Sequence, residues 1–321
     1  RGLQVKVFKP EQFDLVVTRD DRESVLVNGN VMSLPDFILP RTGATGSTYF
    51  ALAVMRQLER LGVRCFNDSV SIEAVADKLH TQQILAEKGI PVPNTMLAKF
   101  PAVNTELVET TLGFPVVVKT LVGTQGSGVF LCDTGDQFND LMDLIGETQP
   151  NLHLIFQEFI AASRGRDLRV FVVAGKVVAA MQRRATDGSF KANFSRGGKV
   201  EQFDVSPEIA QLALDTAATL NLSVAGIDIL FDQDGTFKIC EANSAPDFRG
   251  LESCCEVDIA GAILEATANR VAEEKGIDPL FDEKELEALP ASAEDVAAMN
   301  NPNSNGDGEQ ADPLLANWQN T

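Results

Sequence analysis

The order of apolar and polar positions predicts short strands at the start of the chain. Apolar residues cluster or alternate at residues 4–8, 15–17 and 36–41. Short runs of this kind are typical of strands, because successive side chains lie on opposite faces of a sheet. We therefore predict a strand at each of these three places.

Two helices are predicted to follow these strands. Residues 48–61 have helical spacing, and one face carries Leu52, Met55, Leu58 and Leu61. A second helix is predicted over residues 71–88, with Gly89 as its C-terminal stop. Pro91 and Pro93 cannot continue that helix and mark a boundary. From there to about residue 270, strands and helices are predicted to alternate without a long linker. The polar region after Pro290 is predicted to be disordered, because it cannot bury a core.

Three oxygen-bearing side chains stand at the ends of two neighbouring apolar runs. Asp228 closes one run, and Glu241 and Asn243 close the next, with a hairpin signal at residues 232–235 between them. Glu241 and Asn243 would share a strand face, and an antiparallel return would bring Asp228 near them. Magnesium prefers such oxygen ligands and shares its shell with substrate phosphates. The alternative interpretation is a set of solvated strand ends.

A glycine-rich segment follows another apolar run. The run at residues 115–118 brings Lys119 to a strand end, and Gly123, Gly126 and Gly128 follow before the next apolar run. Glycines let backbone amides approach phosphate oxygens closely. The segment has neither the P-loop pattern nor the dinucleotide fingerprint. It is predicted to form a flap over a triphosphate, the alternative being an ordinary turn.

A third motif joins an apolar strand to a basic loop. Residues 154–160 are apolar except for Gln157 and Glu158, and a basic stretch at residues 164–169 follows. A strand of this kind that ends in a loop suits a hinge that holds an adenine base through main-chain hydrogen bonds. An edge strand followed by a basic turn is an equally good interpretation.

Charge and composition narrow the possible partners. The net charge of −19 argues against bare nucleic acid. Nine Lys/Arg stand against two acids in residues 161–200, so this basic region is a candidate anion site or a solvated face. No apolar run approaches the length of a membrane span, so no membrane partner is expected. The five cysteines lack paired metal spacing and are predicted to be reduced thiols of a cytoplasmic protein.

Taken in order, the short motifs between about residues 36 and 270 resemble the ATP-grasp superfamily and, within it, the RimK-like amino-acid ligases. Each motif is weak alone, but the set occurs in one order. The motifs are Pro40-Arg41-x-Gly43, Asp77-Lys78, Gly123-Thr124-Gln125-Gly126-x-Gly128, Gln157-Glu158-Phe159-Ile160, Arg166-Asp167-Leu168-Arg169, Arg183-Arg184-Ala185, Asn193-x-x-Arg196, Gly226-Ile227-Asp228, Glu241-Ala242-Asn243 and Val257-Asp258.

The resemblance implies a role for each matching residue. The implied nucleotide-binding residues are Lys78 and Lys119 with the glycines Gly123, Gly126 and Gly128 at the phosphates, Glu158, Phe159 and Ile160 at the adenine, and Asp167 at the ribose. The implied ligands of two magnesium (or manganese) ions are Asp228, Glu241 and Asn243. The implied catalytic residues are Arg184, Asn193 and Arg196. The implied substrate-binding residues are Arg41 and Arg196.

Two departures from the family pattern affect these expectations. The family usually begins with a further strand and helix, so the N-terminal domain is expected to be incomplete. After Asn243 the family commonly has a Gly where this chain has Asp247, with Arg249 nearby. We therefore expect Asp247 and Arg249 to contact the substrate, and this puts the addition of glutamate to a ribosomal protein tail in doubt.

The resemblance implies an α+β ATP-grasp fold in which two α+β subdomains clamp ATP. The predicted regions are a truncated α/β pre-ATP-grasp domain at residues 1–90, a central lid subdomain at 91–182, a C-terminal subdomain with the metal site at 183–289 and a disordered acidic tail at 290–321. The expected function is ATP- and magnesium-dependent ligation of glutamate or another amino acid to a peptide, a protein tail or a small acid. The alternatives are a glutathione-synthetase-like ligase of small peptides and a non-catalytic nucleotide-binding regulator. We also predict a homo-oligomer.

Overall fold

The computed structural model describes residues 3–19, 23–41, 48–98, 103, 105–121, 128–186, 188–192 and 197–281. These residues form four separate sheets and eight α-helices. The predicted α+β class is confirmed by this mixture of mainly antiparallel sheets with helices packed against them. Among the described helices, none is long and apolar enough to cross a lipid bilayer.

The first sheet has three short antiparallel strands, β1 (Phe13–Leu15), β2 (Val25–Val27) and β3 (Asn30–Val31). The predicted strand at residues 4–8 is wrong, and the strand predicted at residues 15–17 already ends at its first residue. Val5 and Val7 are exposed, and only Phe8 packs, edge to face against Phe13. The alternation of apolar and polar residues alone therefore led to a wrong strand prediction for this segment.

The next unit is a parallel strand pair joined by a helix. Strand β4 (Phe37–Ile38) pairs with β5 (Arg64–Cys65), and α1 (Thr48–Arg60) connects them. The predicted helix at residues 48–61 is confirmed. Its apolar face is buried in two small clusters, because parallel neighbours need a crossover that covers the sheet.

The predicted single helix over residues 71–88 is wrong, since the structure has two helices, α2 (Ser69–Ala76) and α3 (Lys78–Glu87). Asp77 separates them with extended backbone angles, and its carboxylate caps the first free amides of α3. Gly89 follows the end of α3 with φ +73°, the left-handed conformation that commonly ends a helix. The Asp cap therefore places Lys78 at the start of its own helix.

A four-stranded antiparallel sheet follows. Its strands and two helices are β6 (Thr95–Met96), α4 (Thr105–Leu112), β7 (Val116–Thr120), β8 (Val129–Cys132), α5 (Gly135–Thr148) and β9 (Leu154–Glu158). The strand order is β6-β9-β7-β8. The rings of Phe138 of α5 and Phe156 of β9 pack edge to face with their centroids 5.2 Å apart, and both side chains are fully buried. This core covers one face of the sheet. Lys119 and Gln157 lie outside this core and line a cleft.

A five-stranded antiparallel sheet completes the fold. Its elements are β10 (Arg166–Val173), β11 (Lys176–Arg184), β12 (Lys199–Gln202), α6 (Pro207–Thr219), β13 (Val224–Phe231), β14 (Phe237–Asn243), α7 (Arg249–Glu252) and α8 (Ile259–Glu274). The strand order is β12-β11-β10-β13-β14. Leu168 and Ile227 belong to the core that contains α6, whereas Phe171 and Val224 belong to the core that contains α7 and α8. Because strand side chains alternate, Asp228 falls on the α7/α8 face.

Candidate active site

A cleft opens where the two larger sheets and the α2–α3 pair meet. Five elements from three parts of the fold line it: the helices α2 and α3, the paired strands β7 and β9, and the end of β14. Its lining residues are Val75, Lys78, Thr81, Gln82, Lys119, Ile155, Gln157, Cys240, Glu241 and Ala242. Two lysines, one carboxylate and several apolar side chains thus share one space, a combination that suits a ligand with an anionic end and a flat apolar end.

The oxygen-bearing side chains predicted as metal ligands lie on adjacent strands. The hairpin predicted at residues 232–235 is present, and Asp228 of β13 stands directly opposite Glu241 of β14. Asn243, two residues further along β14, donates through Nδ2 to the carbonyl oxygen of Gly226 at 3.4 Å. Lys78 Nζ lies 3.6 Å from Glu241 Oε2. The turn and the antiparallel register therefore bring two carboxylates and one amide to the same strand pair.

A β-bulge shapes this end of β14. The register shifts after the pair Asp228–Glu241, and the next pair is Ile229–Ile239, so Cys240 is an extra residue. Cys240 lines the cleft together with the next two residues of β14, Glu241 and Ala242. Cys240 Sγ lies 3.7 Å from Lys119 Nζ. Burial raises the pKa of the Cys240 thiol and outweighs the opposing effect of Lys119, so the thiol stays neutral.

Four charged side chains of alternating sign, two of them buried and two partly buried, continue the site across β11, β10 and β13. Arg169 binds both oxygens of Asp228, at 2.7 and 2.8 Å. Arg183 binds both oxygens of Asp167, at 2.6 and 2.8 Å, and also reaches Asp228 at 2.9 Å. The cross-strand pairs Asp167–Arg183 and Arg169–Asp228 place these side chains on one face. The two arginines therefore fix the position of the Asp228 carboxylate.

The two carboxylates of this group differ in pKa because two arginines are bonded to Asp228 and only one to Asp167. Burial would raise the pKa of Asp228, but Arg169 and Arg183 outweigh it and lower the pKa to about 2. The pKa of Asp167 is raised, because burial and the nearby Asp228 charge outweigh the hydrogen-bonded Arg183 and the weaker effect of Arg169. Asp228 is thus ionised across the physiological range, as a ligand of a hard cation must be.

The predicted hinge residues have three different environments. Glu158 accepts from the backbone amide of Asn94 at 2.8 Å and from Lys238 of β14 at 2.6 Å, so its carboxylate ties the two larger sheets together. Phe159 meets the ring of Phe190 edge to face. Ile160 is buried. The structure therefore shows a connection between the two larger sheets at this position.

Lys119 is held by a neighbouring strand. Its Nζ donates to Gln157 Oε1 at 2.6 Å, and Gln157 Nε2 donates to Thr95 Oγ1 at 2.8 Å. Gly128, at the end of the glycine-rich segment, has φ +69°, and a Cβ there would collide with the side chain of Thr120. Four predicted site residues lie outside the described part of the chain: Gly123, Gly126, Asn193 and Arg196. The predicted tail at 290–321 also lies outside it.

The predicted substrate residues form a small group after β14. Arg41 donates to the carbonyl oxygen of Pro246 at 2.8 Å, and its guanidinium lies over the Phe248 ring at 5.3 Å. Arg249, whose side chain is 81% exposed, is paired with Asp247 at 2.6 Å. Arg184 donates to Gln182 at 2.7 Å. Asp247 and Arg249 neutralise each other here, which leaves Arg41 as the better placed anion receptor of this group.

Asn67 is a residue that the sequence patterns did not single out. Its Oδ1 accepts from the amides of Ser223 and Val224 at 2.6 and 3.0 Å. Its Nδ2 donates to the carbonyl oxygens of Val224 and Ser244 at 2.7 and 2.9 Å. The side chain thus fixes the segment directly after Asn243. A single asparagine after an apolar run carries no sequence signal for such a role.

Comparison with known families covers nearly all of the described chain. Residues 75–267 match the RimK-like ATP-grasp domain. Residues 1–72 match the RimK PreATP-grasp domain. The boundary between the two matches falls inside α2, close to the Asp77 cap that separates α2 from α3.

Two curated relatives have sequences similar to this chain. One, named "Probable alpha-L-glutamate ligase", comes from Legionella pneumophila (strain Corby) and is 37% identical over 264 residues, 82% of this chain and 86% of the relative. Another of the same name, from Maridesulfovibrio salexigens, is 36% identical over 265 residues, 83% of this chain and 86% of the relative.

Solved structures share the fold at lower identity. The ATP-grasp ligase PsnB, determined with a minimal precursor, has a TM-score of 0.64 at 21% identity, over 83% of this chain and 89% of PsnB. D-alanine–D-alanine ligase from Bacillus anthracis, determined with ATP, has a TM-score of 0.57 at 22% identity, over 74% of this chain and 81% of the ligase. Both likenesses support the ATP-grasp fold of this chain.

Proposed function

The chain belongs to the RimK-like ATP-grasp family, and from this membership we propose that it is an ADP-forming ligase that joins a carboxylate of one substrate to an amine of another. The single observation that carries the proposal is the cross-strand pairing of Asp228 with Glu241, which lines the cleft and lies 3.6 Å from Lys78. A protein that only bound nucleotide would not need this arrangement of oxygens beside a phosphate-binding lysine.

The donor chemistry of the site fits magnesium. Glu241 offers a carboxylate, and Asn243 offers Oδ1 because its Nδ2 is already bonded to Gly226. Asp228 would share with the ion the oxygens that also bind Arg169 and Arg183. Among the described residues no cluster of three or more His, Cys, Asp or Glu side chains could hold a metal ion by itself. Magnesium commonly completes its shell with substrate phosphates and water, which agrees with a partial protein site. When bound, the ion would neutralise charge on the phosphates.

The remaining cleft residues suit the nucleotide. We propose that Lys78 and Lys119 bind the phosphates and that Ile155 and the neutral Cys240 cover the faces of the base. The glycine-rich segment and Glu158 to Ile160 would enclose the base and phosphates. Asp167 would reach a ribose only by sharing oxygens that now bind Arg183, so we propose for it a supporting role at Asp228.

The proposed reaction has two displacement steps. An oxygen of the substrate carboxylate attacks the γ-phosphorus of ATP, and ADP leaves to give an acyl phosphate. The amine then attacks the acyl carbon, phosphate leaves and the amine loses a proton. No enzyme nucleophile takes part, so the contribution of the protein is positioning and charge neutralisation. Arg184 and the predicted residues Asn193 and Arg196 are proposed to act at the transferred phosphoryl group.

We propose glutamate as the amino-acid substrate and a peptide or small acid as its partner. The names of the curated relatives support glutamate, and the PsnB structure holds a precursor peptide in the same fold. Arg41 supports an acidic substrate, because its guanidinium is held by Pro246 and Phe248 next to the segment that follows β14. A ligase of small thiol peptides is the alternative within the same chemistry.

An ADP-release screen tests the proposal. Purified protein with ATP and magnesium is offered glutamate, glutamine, lysine or cysteine, each with and without short acidic peptides, and products are identified by mass. ADP and an amide product should form with glutamate and a peptide, and chelation of magnesium should stop both. The Asp228→Asn variant should be inactive, whereas Asp204→Asn, an exposed site after β12, should behave as wild type. ATP binding without product across the whole screen would favour the regulator alternative.

A further inference from the structure

Gln82 carries a polar atom that its protein neighbours leave unsatisfied. The side chain lies on α3, one turn after Lys78, and is only 6% exposed. Its Nε2 donates to the carbonyl oxygen of Cys240 at 3.2 Å. Its Oε1 is buried and accepts no hydrogen bond from the described residues. Buried polar atoms nearly always have a partner, so an open one at the wall of a cleft indicates a ligand.

The orientation of the Gln82 amide is fixed by Cys240. If the amide were turned over, Oε1 would face the Cys240 carbonyl oxygen, and two acceptors cannot form a hydrogen bond. Nε2 must therefore face Cys240, and Oε1 is the atom left for the cleft that Gln82 lines.

The other glutamine of the cleft does not share this feature. Gln157 accepts from Lys119 at 2.6 Å and donates to Thr95 at 2.8 Å, so both ends of its amide are paired. The open acceptor is thus specific to Gln82 and is not a general property of the cleft.

The surroundings of Gln82 indicate which part of a nucleotide meets it. Val75, Ile155 and Ala242 make this wall apolar, which suits a flat base better than a phosphate. An acceptor beside the base requires a donor on the base edge. Adenine presents an exocyclic amino group there, whereas a 6-oxopurine presents an oxygen.

We infer that Gln82 Oε1 accepts a hydrogen bond from the exocyclic amino group of adenine and selects ATP against 6-oxopurine nucleotides. The inference rests on the proposed function, in which this cleft binds ATP. A site built to bond a polar group rejects the analogue that lacks it, because its own buried atom is then left unpaired.

The first test uses wild-type protein and changes only the ligand. Calorimetry with magnesium compares ATP with purine riboside triphosphate, which lacks the amino group, with inosine triphosphate, which has an oxygen there, and with 2′-deoxyATP. Loss of the amino group should weaken binding about tenfold, and the oxygen should weaken it further. A loss that follows the 2′-hydroxyl instead, or an ATP preference below about twofold, overturns the assignment. If wild type binds none of the four, the proposed function itself fails.

The second test changes the protein. Gln82→Met keeps the length of the side chain and removes the acceptor, so the preference for ATP over purine riboside triphosphate should fall about tenfold. Gln83→Met alters the exposed neighbour on the same helix and should keep the wild-type preference. An unchanged preference in Gln82→Met overturns the inference. If thermal melting shows that this variant is unfolded, the wild-type ligand series decides alone.

Discussion

Replacing the buried guanidinium of Arg183 with the apolar side chain of methionine should destabilise the protein by about 3–5 kcal/mol. Arg183 is 4% exposed and bonds both oxygens of Asp167 and one oxygen of Asp228. Asp228 keeps Arg169 after the change, whereas Asp167 loses its bidentate partner. The variant therefore buries one uncompensated carboxylate, and the expected cost is that of one broken buried ion pair.

Urea denaturation followed by far-ultraviolet circular dichroism measures this cost. With a denaturant slope of about 3 kcal/mol/M, the midpoint should fall by about 1 M or more. Arg184→Met is the matched control, because Arg184 is the next residue of β11, is exposed and donates to Gln182. Its effect should stay within about 0.5 kcal/mol.

The pH dependence gives an independent check of the same reasoning. The pKa of Asp167 is already raised by burial, and loss of Arg183 should raise it further. A carboxyl group with a raised folded-state pKa favours folding at low pH and loses that contribution as pH rises through the folded-state value. The deficit of Arg183→Met should therefore shrink as pH falls. Adding Asp167→Asn should recover part of the stability at neutral pH. A deficit below about 1 kcal/mol, or one equal to that of Arg184→Met, would refute the reasoning.

Four further outcomes are expected. Glu241→Gln should lower turnover about 10²-fold, because it removes a charge at the metal site, whereas the control Glu201→Gln, at an exposed position of β12, should leave turnover unchanged. Normal turnover of Glu241→Gln with magnesium would show that Glu241 is not part of the site. Lys119→Ala should weaken ATP binding, measured by calorimetry, about tenfold, because a charged donor is lost. An unchanged affinity would mean that Lys119 serves only as a structural partner of Gln157. Asn67→Ala should lower the free energy of unfolding in urea by about 3 kcal/mol, because buried backbone groups lose their hydrogen-bond partners. A decrease below about 1 kcal/mol would show that Asn67 does not stabilise this segment. A chain shortened to residue 290 should keep most ligase activity, because the site lies before it, whereas a large loss would mean that the removed segment supports the cleft.

The sequence predicts helices and hairpins correctly where a pattern of a few residues fixes the local geometry. The helix at α1 follows from apolar spacing, and the β13–β14 hairpin follows from its turn residues. Alternation along β14 and the antiparallel return also predict that Asp228 lies near Glu241. The errors fell where a pattern had no tertiary support or where one side chain interrupted it. Residues 4–8, of which 4–7 are exposed, formed no strand, and Asp77 divided a predicted single helix in two.

Sequence alone determined the α+β class, the family resemblance and the residue types that could carry the chemistry, because motif order and short periodicities are properties of the chain itself. Only the tertiary structure decided which of these groups meet. Asp167 was predicted at the ribose and pairs with Arg183, and Gln82 meets the carbonyl of Cys240 across 158 positions of sequence. Such partners are set by how separate sheets and helices dock and by a one-residue bulge in β14. A periodic pattern shows which face a side chain occupies, but the element packed against that face determines its partner.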